Sequence, residues 1–174
     1  MALQGSHRLG PENARLLVKT RRSGAAAKAG HNLTLEVTSW SATLELGESP
    51  SASLEADPAS LRVVEGSGGV QALDDGDKAN IEKTIRDEVL TKGPIAFRST
   101  ELSAEGDSLR LSGELNLMGE TRPLAFDLAA DGDGRLSAST VVKQTDWGIK
   151  PYSGLFGALK VVDEIEVLLE AGPL

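Results

Sequence analysis

Residues 108–130 read SLRLSGELNLMGETRPLAFDLAA, and their period decides the fold. Leu109, Leu111, Gly113, Leu115 and Leu117 fall on one side of an extended chain, with Arg110, Ser112, Glu114 and Asn116 on the other. After Gly119-Glu120 the alternation resumes at Leu124, Phe126 and Leu128. Successive side chains of a strand point to opposite faces, so the stretch reads as a hairpin with one apolar face. The same pattern extends in both directions, through Leu16/Val18/Thr20, Leu33/Leu35/Val37, Ala42/Leu44/Leu46, Ala52/Leu54/Ala56, Leu61/Val63, Ile95/Phe97/Ser99, Leu136/Ala138/Thr140/Val142 and Ile165/Val167/Leu169. Turn residues stand between these runs at 47–50, 57–58, 66–69, 106–107 and 131–134. Connections this short join antiparallel neighbours, because a parallel crossover needs roughly a dozen residues or more.

One segment departs from period 2. From Asp77, a good N-cap, Ile81, Ile85 and Val89 recur at helical spacing until Gly93-Pro94 stops the pattern. A strand-rich chain with a single amphipathic helix must close its sheet or cover its edges. The expectation is therefore an all-β, antiparallel, up-and-down, lipocalin-like barrel of about eight strands, with one α-helix inserted between residues 77 and 92. A β-sandwich is the alternative.

Composition narrows the function classes. The chain has 174 residues, 40% hydrophobic and 25% charged, with a net charge of −8, which suits one globular domain. That field opposes a phosphate backbone, so nucleic acid is not expected as a partner. The absence of cysteine excludes disulfides, thiolate metal sites and cysteine nucleophiles. No window approaches the ~20 apolar residues of a membrane helix. The opening MALQGSHRLG lacks the apolar core of a secretory signal. Residues 1–10 are accordingly read as a leader or a cloning remnant outside the fold, residues 11–174 as one domain, and the expected location is cytoplasmic.

Catalytic signals are sparse. The two histidines, His7 and His31, are far apart, and no H-E-x-x-H, Walker A or G-x-S-x-G spacing occurs. Gly66-Ser67-Gly68-Gly69 reads as a flexible connection, and Asp131-Gly132-Asp133-Gly134 as a hairpin turn. Asp74, Asp75 and Asp77 read as charges favourable to a helix N-terminus, and no metal or cofactor is expected. Residues 145–160, TDWGIKPYSGLFGALK, hold three of the six aromatic side chains, Trp147, Tyr152 and Phe156, in a segment broken by Gly and Pro. Aromatics in such a loop plug a barrel end or line its mouth. Lys19, Arg21, Arg22 and Lys28 gather in one loop, read as a solvated basic loop beside a neutral or absent ligand head.

The runs IRDEVL (85–90), GPIAFRST (93–100), SGELNLMGETRPLAFDL (112–128), QTDWGI (144–149) and VVDEIEVLLEA (161–171) together resemble the YceI-like family. The resemblance spans about Asn13 to Ala171 and implies a lipocalin-like barrel that binds long polyisoprenoid lipids. Against the family pattern, Val89 stands where His is usual, Gln144 where Arg is common, and a Phe-rich stretch is cut to Thr91-Lys92-Gly93. The implied function is non-catalytic binding of a long, apolar, isoprenoid-like molecule of polyprenol or quinone type. Its expected lining is Phe97, Leu115, Leu117, Phe126, Trp147, Ile149, Tyr152 and Phe156. A barrel enzyme using buried acids such as Asp146 or Glu114, a side-chain-filled structural protein, and a homodimer are left open.

Overall fold

From its N-terminus the chain forms β1 (Gly5–Leu9), β2 (Ala14–Thr20), β3 (Arg22–Ser23), β4 (Asn32–Val37), β5 (Trp40–Leu46), β6 (Ser51–Ala56) and β7 (Leu61–Ser67). Helix α1 (Asp75–Thr84) follows, prolonged by a π-helical turn at Ile85–Val89. The second half contains β8 (Ile95–Glu105), β9 (Ser108–Leu117), β10 (Glu120–Ala130), β11 (Leu136–Lys143), β12 (Ser153–Gly154), β13 (Leu159–Val161) and β14 (Glu164–Ala171). These elements come from a computed structural model, which describes residues 3–69, 72–154 and 159–174.

The hairpin of β9 and β10 turns on Met118 (φ +56°) and Gly119 (φ +79°), with Leu117 directly opposite Glu120. Positive φ at both central residues gives the turn a twist that matches its strands. From there the antiparallel order is β8-β9-β10-β11-β14-β2-β4-β7 on one side, and β8-β6-β5-β1 on the other. The two ends belong to the same strands. β1 and β2, β4 and β5, and β6 and β7 are consecutive lengths of three long strands, broken at residues 10–13, 38–39 and 57–60. Because β7 borders β4 while its continuation β6 borders β8, through Ser53–Arg98 to Ala56–Ile95, the sheet returns on itself as a barrel.

Two expectations are refined here. The main sheet has eleven strand segments, which make up eight long strands, three of them bent sharply enough to interrupt their ladders. The N-terminal segment is not outside the fold: Gly5–Leu9 pair with β5, and Leu9 is buried. Its polar sequence conceals this, since Leu9 is the one large apolar side chain of the segment.

The bends would strand main-chain polar groups, which are costly to bury unpaired. Ser60, itself buried, prevents that. Its hydroxyl accepts from Ser39 N at 3.0 Å and donates to the Asp57 carbonyl at 2.7 Å. Thr38 N and Oγ1 donate to the Ser60 carbonyl at 3.2 and 2.7 Å, and Asp57 N donates to Ser39 O at 3.0 Å. A carboxylate of Asp57 then caps the following turn by accepting from Ala59 N at 2.9 Å.

Helix α1 starts earlier than its sequence pattern implies. Asp74, not Asp77, is the N-cap; Asp77 N donates to Asp74 Oδ1 at 2.7 Å and Asp74 N to Asp77 Oδ2 at 3.1 Å, a reciprocal capping box. The helix lies against the outer edge of β7, where Val63 N donates to Glu82 Oε1 at 3.0 Å. A side chain thus supplies the acceptor that a neighbouring strand would otherwise provide. Ile81, Ile85, Val89 and Leu90 pack on the core from this position.

β10 and β11 pair only from Leu128–Ala138 to Ala130–Leu136 and then diverge. The turn at Gln144–Trp147 fills the resulting wedge, with Arg122 Nε donating to Asp146 O at 3.1 Å. Pro123 sits in this length of β10, where its missing N–H costs no ladder bond.

Gly113 is a tight point of the wall. A Cβ there would lie 2.7 Å from Phe97 Cζ and would also collide with the Arg98 carbonyl. Gly113→Val is therefore expected to destabilise the protein by about 1–3 kcal/mol, the usual cost of overpacking. Urea unfolding checks it, and an unchanged midpoint with an unchanged slope would show that Phe97 does not rest on this glycine.

Candidate ligand cavity

The inward faces of the strands enclose a cavity of about 620 Å³. Its wall is the alternating apolar set of the sequence: Leu16 and Val18 of β2, Leu33 and Leu35 of β4, Leu54 of β6, Leu111 and Leu115 of β9, Leu124 to Leu128 on alternate positions of β10, and Val167 and Leu169 of β14. Ala42, Ala52, Ala138 and Thr140 also border it. Small side chains at those positions are what leave the interior unfilled.

Six of the eight expected lining residues lie on this cavity: Phe97, Leu115, Leu117, Phe126, Ile149 and Tyr152. The Phe97 and Phe126 rings meet at 5.4 Å between centroids and a 53° tilt, a favourable edge-inclined pair. Tyr152 is 40% exposed and stands at the opening. Trp147 is a plug rather than a lining residue. It is 4% exposed, and its indole N–H donates to the Leu115 carbonyl at 2.9 Å, locking the wedge between β10 and β11. Phe156 lies outside the described residues.

Sequence reasoning missed the contribution of the helix. Ile81, Ile85, Val89 and Leu90 border the cavity itself, so α1 is part of the container wall. Their i, i+4, i+8 spacing was the available signal, and it specified an apolar stripe without saying that the stripe would face empty space. Val89 and Gln144, two of the departures that the family resemblance singles out, both face this cavity. Gln144 is buried, and its amide Nε2 donates to the Val162 carbonyl at 3.2 Å.

The carboxylates required by the enzyme reading, Asp146 and Glu114, are exposed and do not border the cavity. Of the basic loop, Lys19, Arg21 and Lys28 are exposed, whereas Arg22 is half-buried and lines the cavity together with His31 and Lys160. Asp131, in the suspected turn, accepts from Asp133 N and Arg135 N at 2.9 and 3.0 Å, which accounts for its place in a tight connection.

An antiparallel barrel around a mainly apolar chamber defines the class: a lipocalin-like barrel with an internal cavity. More specifically, the YceI-like domain model matches residues 13–172, and the chain belongs to the YceI-like family. Solved structures carry the same fold. The crystal structure of Burkholderia cenocepacia BcnA superposes with a TM-score of 0.64 at 13% identity, covering 90% of this chain and 94% of that one. A mutant CJ YCEI protein with a monobromobimane guest gives 0.55 at 13% identity, over 79% and 81% of the two chains. The Campylobacter jejuni YCEI protein gives 0.50 at 12% identity, over 79% and 84%. No curated protein matches the chain.

Asp163 anchors the turn that carries Gln144, Trp147 and Ile149. Thr145 N donates to its Oδ1 at 2.9 Å and Thr145 Oγ1 to its Oδ2 at 2.6 Å. Burial pushes the Asp163 carboxyl up, but the Thr145 hydrogen bonds and the Lys143 charge outweigh it and hold the group below the usual carboxylate range. A depressed folded-state value adds stability above the unfolded value, and that stability is lost as pH falls through the folded one. Asp163→Asn is thus expected to lower Tm at neutral pH, with the gap to wild type closing as pH drops through the carboxylate range. Parallel melts across that range check it; a gap that stays constant with pH would remove the charge from the account.

Proposed function

We propose that this protein binds and sequesters a long, apolar, isoprenoid-like lipid of polyprenol or quinone type, without catalysis. The observation that carries the reading is the 620 Å³ chamber lined by apolar side chains from the barrel strands and from α1. Each methylene transferred from water to such a site contributes roughly 0.8 kcal/mol, so a long chain is held with few polar contacts. Membership of the YceI-like family supports the same ligand class. The only carboxylate bordering the chamber, among the described residues, is Asp57, and it already caps a turn through Ala59 N. A bound lipid is accordingly released chemically unchanged.

The test combines native mass spectrometry of freshly purified protein with organic extraction of whatever it carries. Ala138→Trp provides the control, since Ala138 faces empty space and a bulky ring there fills the chamber without crowding a packed core. The expected result is an apolar adduct on wild type, recovered intact, and at least tenfold less of it on the variant at similar Tm. Recovery of a lipid converted to product, or equal loading of Ala138→Trp, would overturn the reading.

A further inference from the structure

One end of the chamber differs chemically from the rest. The short sheet β12-β13-β3 crosses it, with Lys160 opposite Ser23 and Val161 opposite Arg22. Arg22, His31 and Lys160 border the chamber here. Asp57, the one carboxylate on the chamber among the described residues, lies beyond the other end of β4, about 20 Å of extended chain from Asn32. Positive charge is thus concentrated at a single mouth of an otherwise acidic protein of net charge −8.

The mouth is built around these groups. Gly68 and Gly69 adopt φ of +78° and +76°, a conformation that L side chains rarely take. A Cβ on Gly68 would collide with the Arg22 guanidinium, and one on Gly69 with the His31 imidazole. The glycine run that reads as a flexible connection is therefore the floor on which a guanidinium and an imidazole lie side by side. Arg22 is fixed at both ends: its main-chain N donates to Asn32 Oδ1 at 3.0 Å, and its Nη1 donates to the Gly30 carbonyl. That carbonyl is its only side-chain acceptor among the described residues, which leaves Nε and Nη2 to offer a fork to a ligand.

We propose that this mouth reads an oxyanion: the apolar ligand carries a carboxylate or phosphate at one end, held by the Arg22 guanidinium, while its tail runs into the chamber. The inference rests on the lipid-binding reading above and replaces the neutral head that the basic loop suggests when it is read as wholly solvated. The chemistry follows from geometry. A half-buried guanidinium pre-oriented by one hydrogen bond matches a planar or tetrahedral oxyanion, and such charge-assisted bonds are stronger than neutral ones.

The experiment measures affinities of farnesol, farnesoic acid and farnesyl monophosphate, at low and high salt, for wild type, Arg22→Gln, Arg22→Lys and the exposed control Arg21→Ala. In wild type at low salt, both acids are expected to bind about tenfold or more tightly than the alcohol. Arg22→Gln abolishes that preference, Arg22→Lys restores part of it, and Arg21→Ala keeps it. A phosphate preferred over the carboxylate identifies the phosphoryl head as the better fit, and the reverse order identifies the carboxylate. Equal binding of alcohol and acids by wild type would overturn the oxyanion mouth while leaving lipid binding intact. Failure of all three compounds to bind would overturn both.

Discussion

Every feature of this protein depends on three long strands bending while their main-chain hydrogen bonds stay satisfied. A sheet with one apolar face has to hide that face, and here no second sheet covers it. The face is hidden by curling, and the curl closes only because β6 can border β8 while its own continuation, β7, borders β4. Ser60 makes the bend affordable, for its hydroxyl takes the Ser39 N–H and serves the Asp57 carbonyl where ladder bonds are interrupted. Pro58, with no N–H to satisfy, begins the same turn. Without this corner β6 and β7 would run straight and the seam would stand open.

Closure leaves two weak places, and each is covered by a different device. The outer edge of β7 is covered by α1, through Glu82 to Val63 N. The divergence of β10 and β11 is wedged by Trp147, whose indole reaches the Leu115 carbonyl. Both devices also shape the chamber. The helix lends it Ile81, Ile85, Val89 and Leu90, and the turn that ends in Trp147 aims Gln144 and Ile149 inward. Stability and cavity geometry are therefore not separable at these points, and an empty interior forgoes the dispersion contacts that a filled one would have.

Much of the wall was legible because period 2 is enforced by the backbone itself. Leu109 through Leu117 had to share a face, and the structure buries all of them. The bends were not legible. Thr38-Ser39 carry no glycine or proline, and nothing local says that a strand should break between Val37 and Trp40; the reason lies across the sheet, in Ser60. β1 was hidden for a related cause, since a strand anchored by main-chain pairing and one buried leucine leaves little pattern in GSHRL. For the chamber, the apolar strand positions were readable, whereas Arg22 was not separable from Lys19, Arg21 and Lys28. Its role depends on Gly68 and Gly69, more than forty residues away in the chain.

The polar contacts of the chamber are set independently of the fold. At 13% identity BcnA still superposes over 90% of this chain, so the fold persists through near-complete replacement of its side chains. The positions where the family resemblance leads one to expect an imidazole and a guanidinium are here Val89 and Gln144, and both face the chamber. An isopropyl group and a neutral amide already engaged with Val162 O leave those walls uncharged. Cationic character appears instead at the β3–β13 end, on Arg22 and Lys160. On the proposed reading, an apolar tail lies along the uncharged barrel walls, and an anionic head is drawn to that mouth of an otherwise acidic protein. Orientation of a bound amphiphile then follows from where the charge was placed, and not from the shape of the barrel.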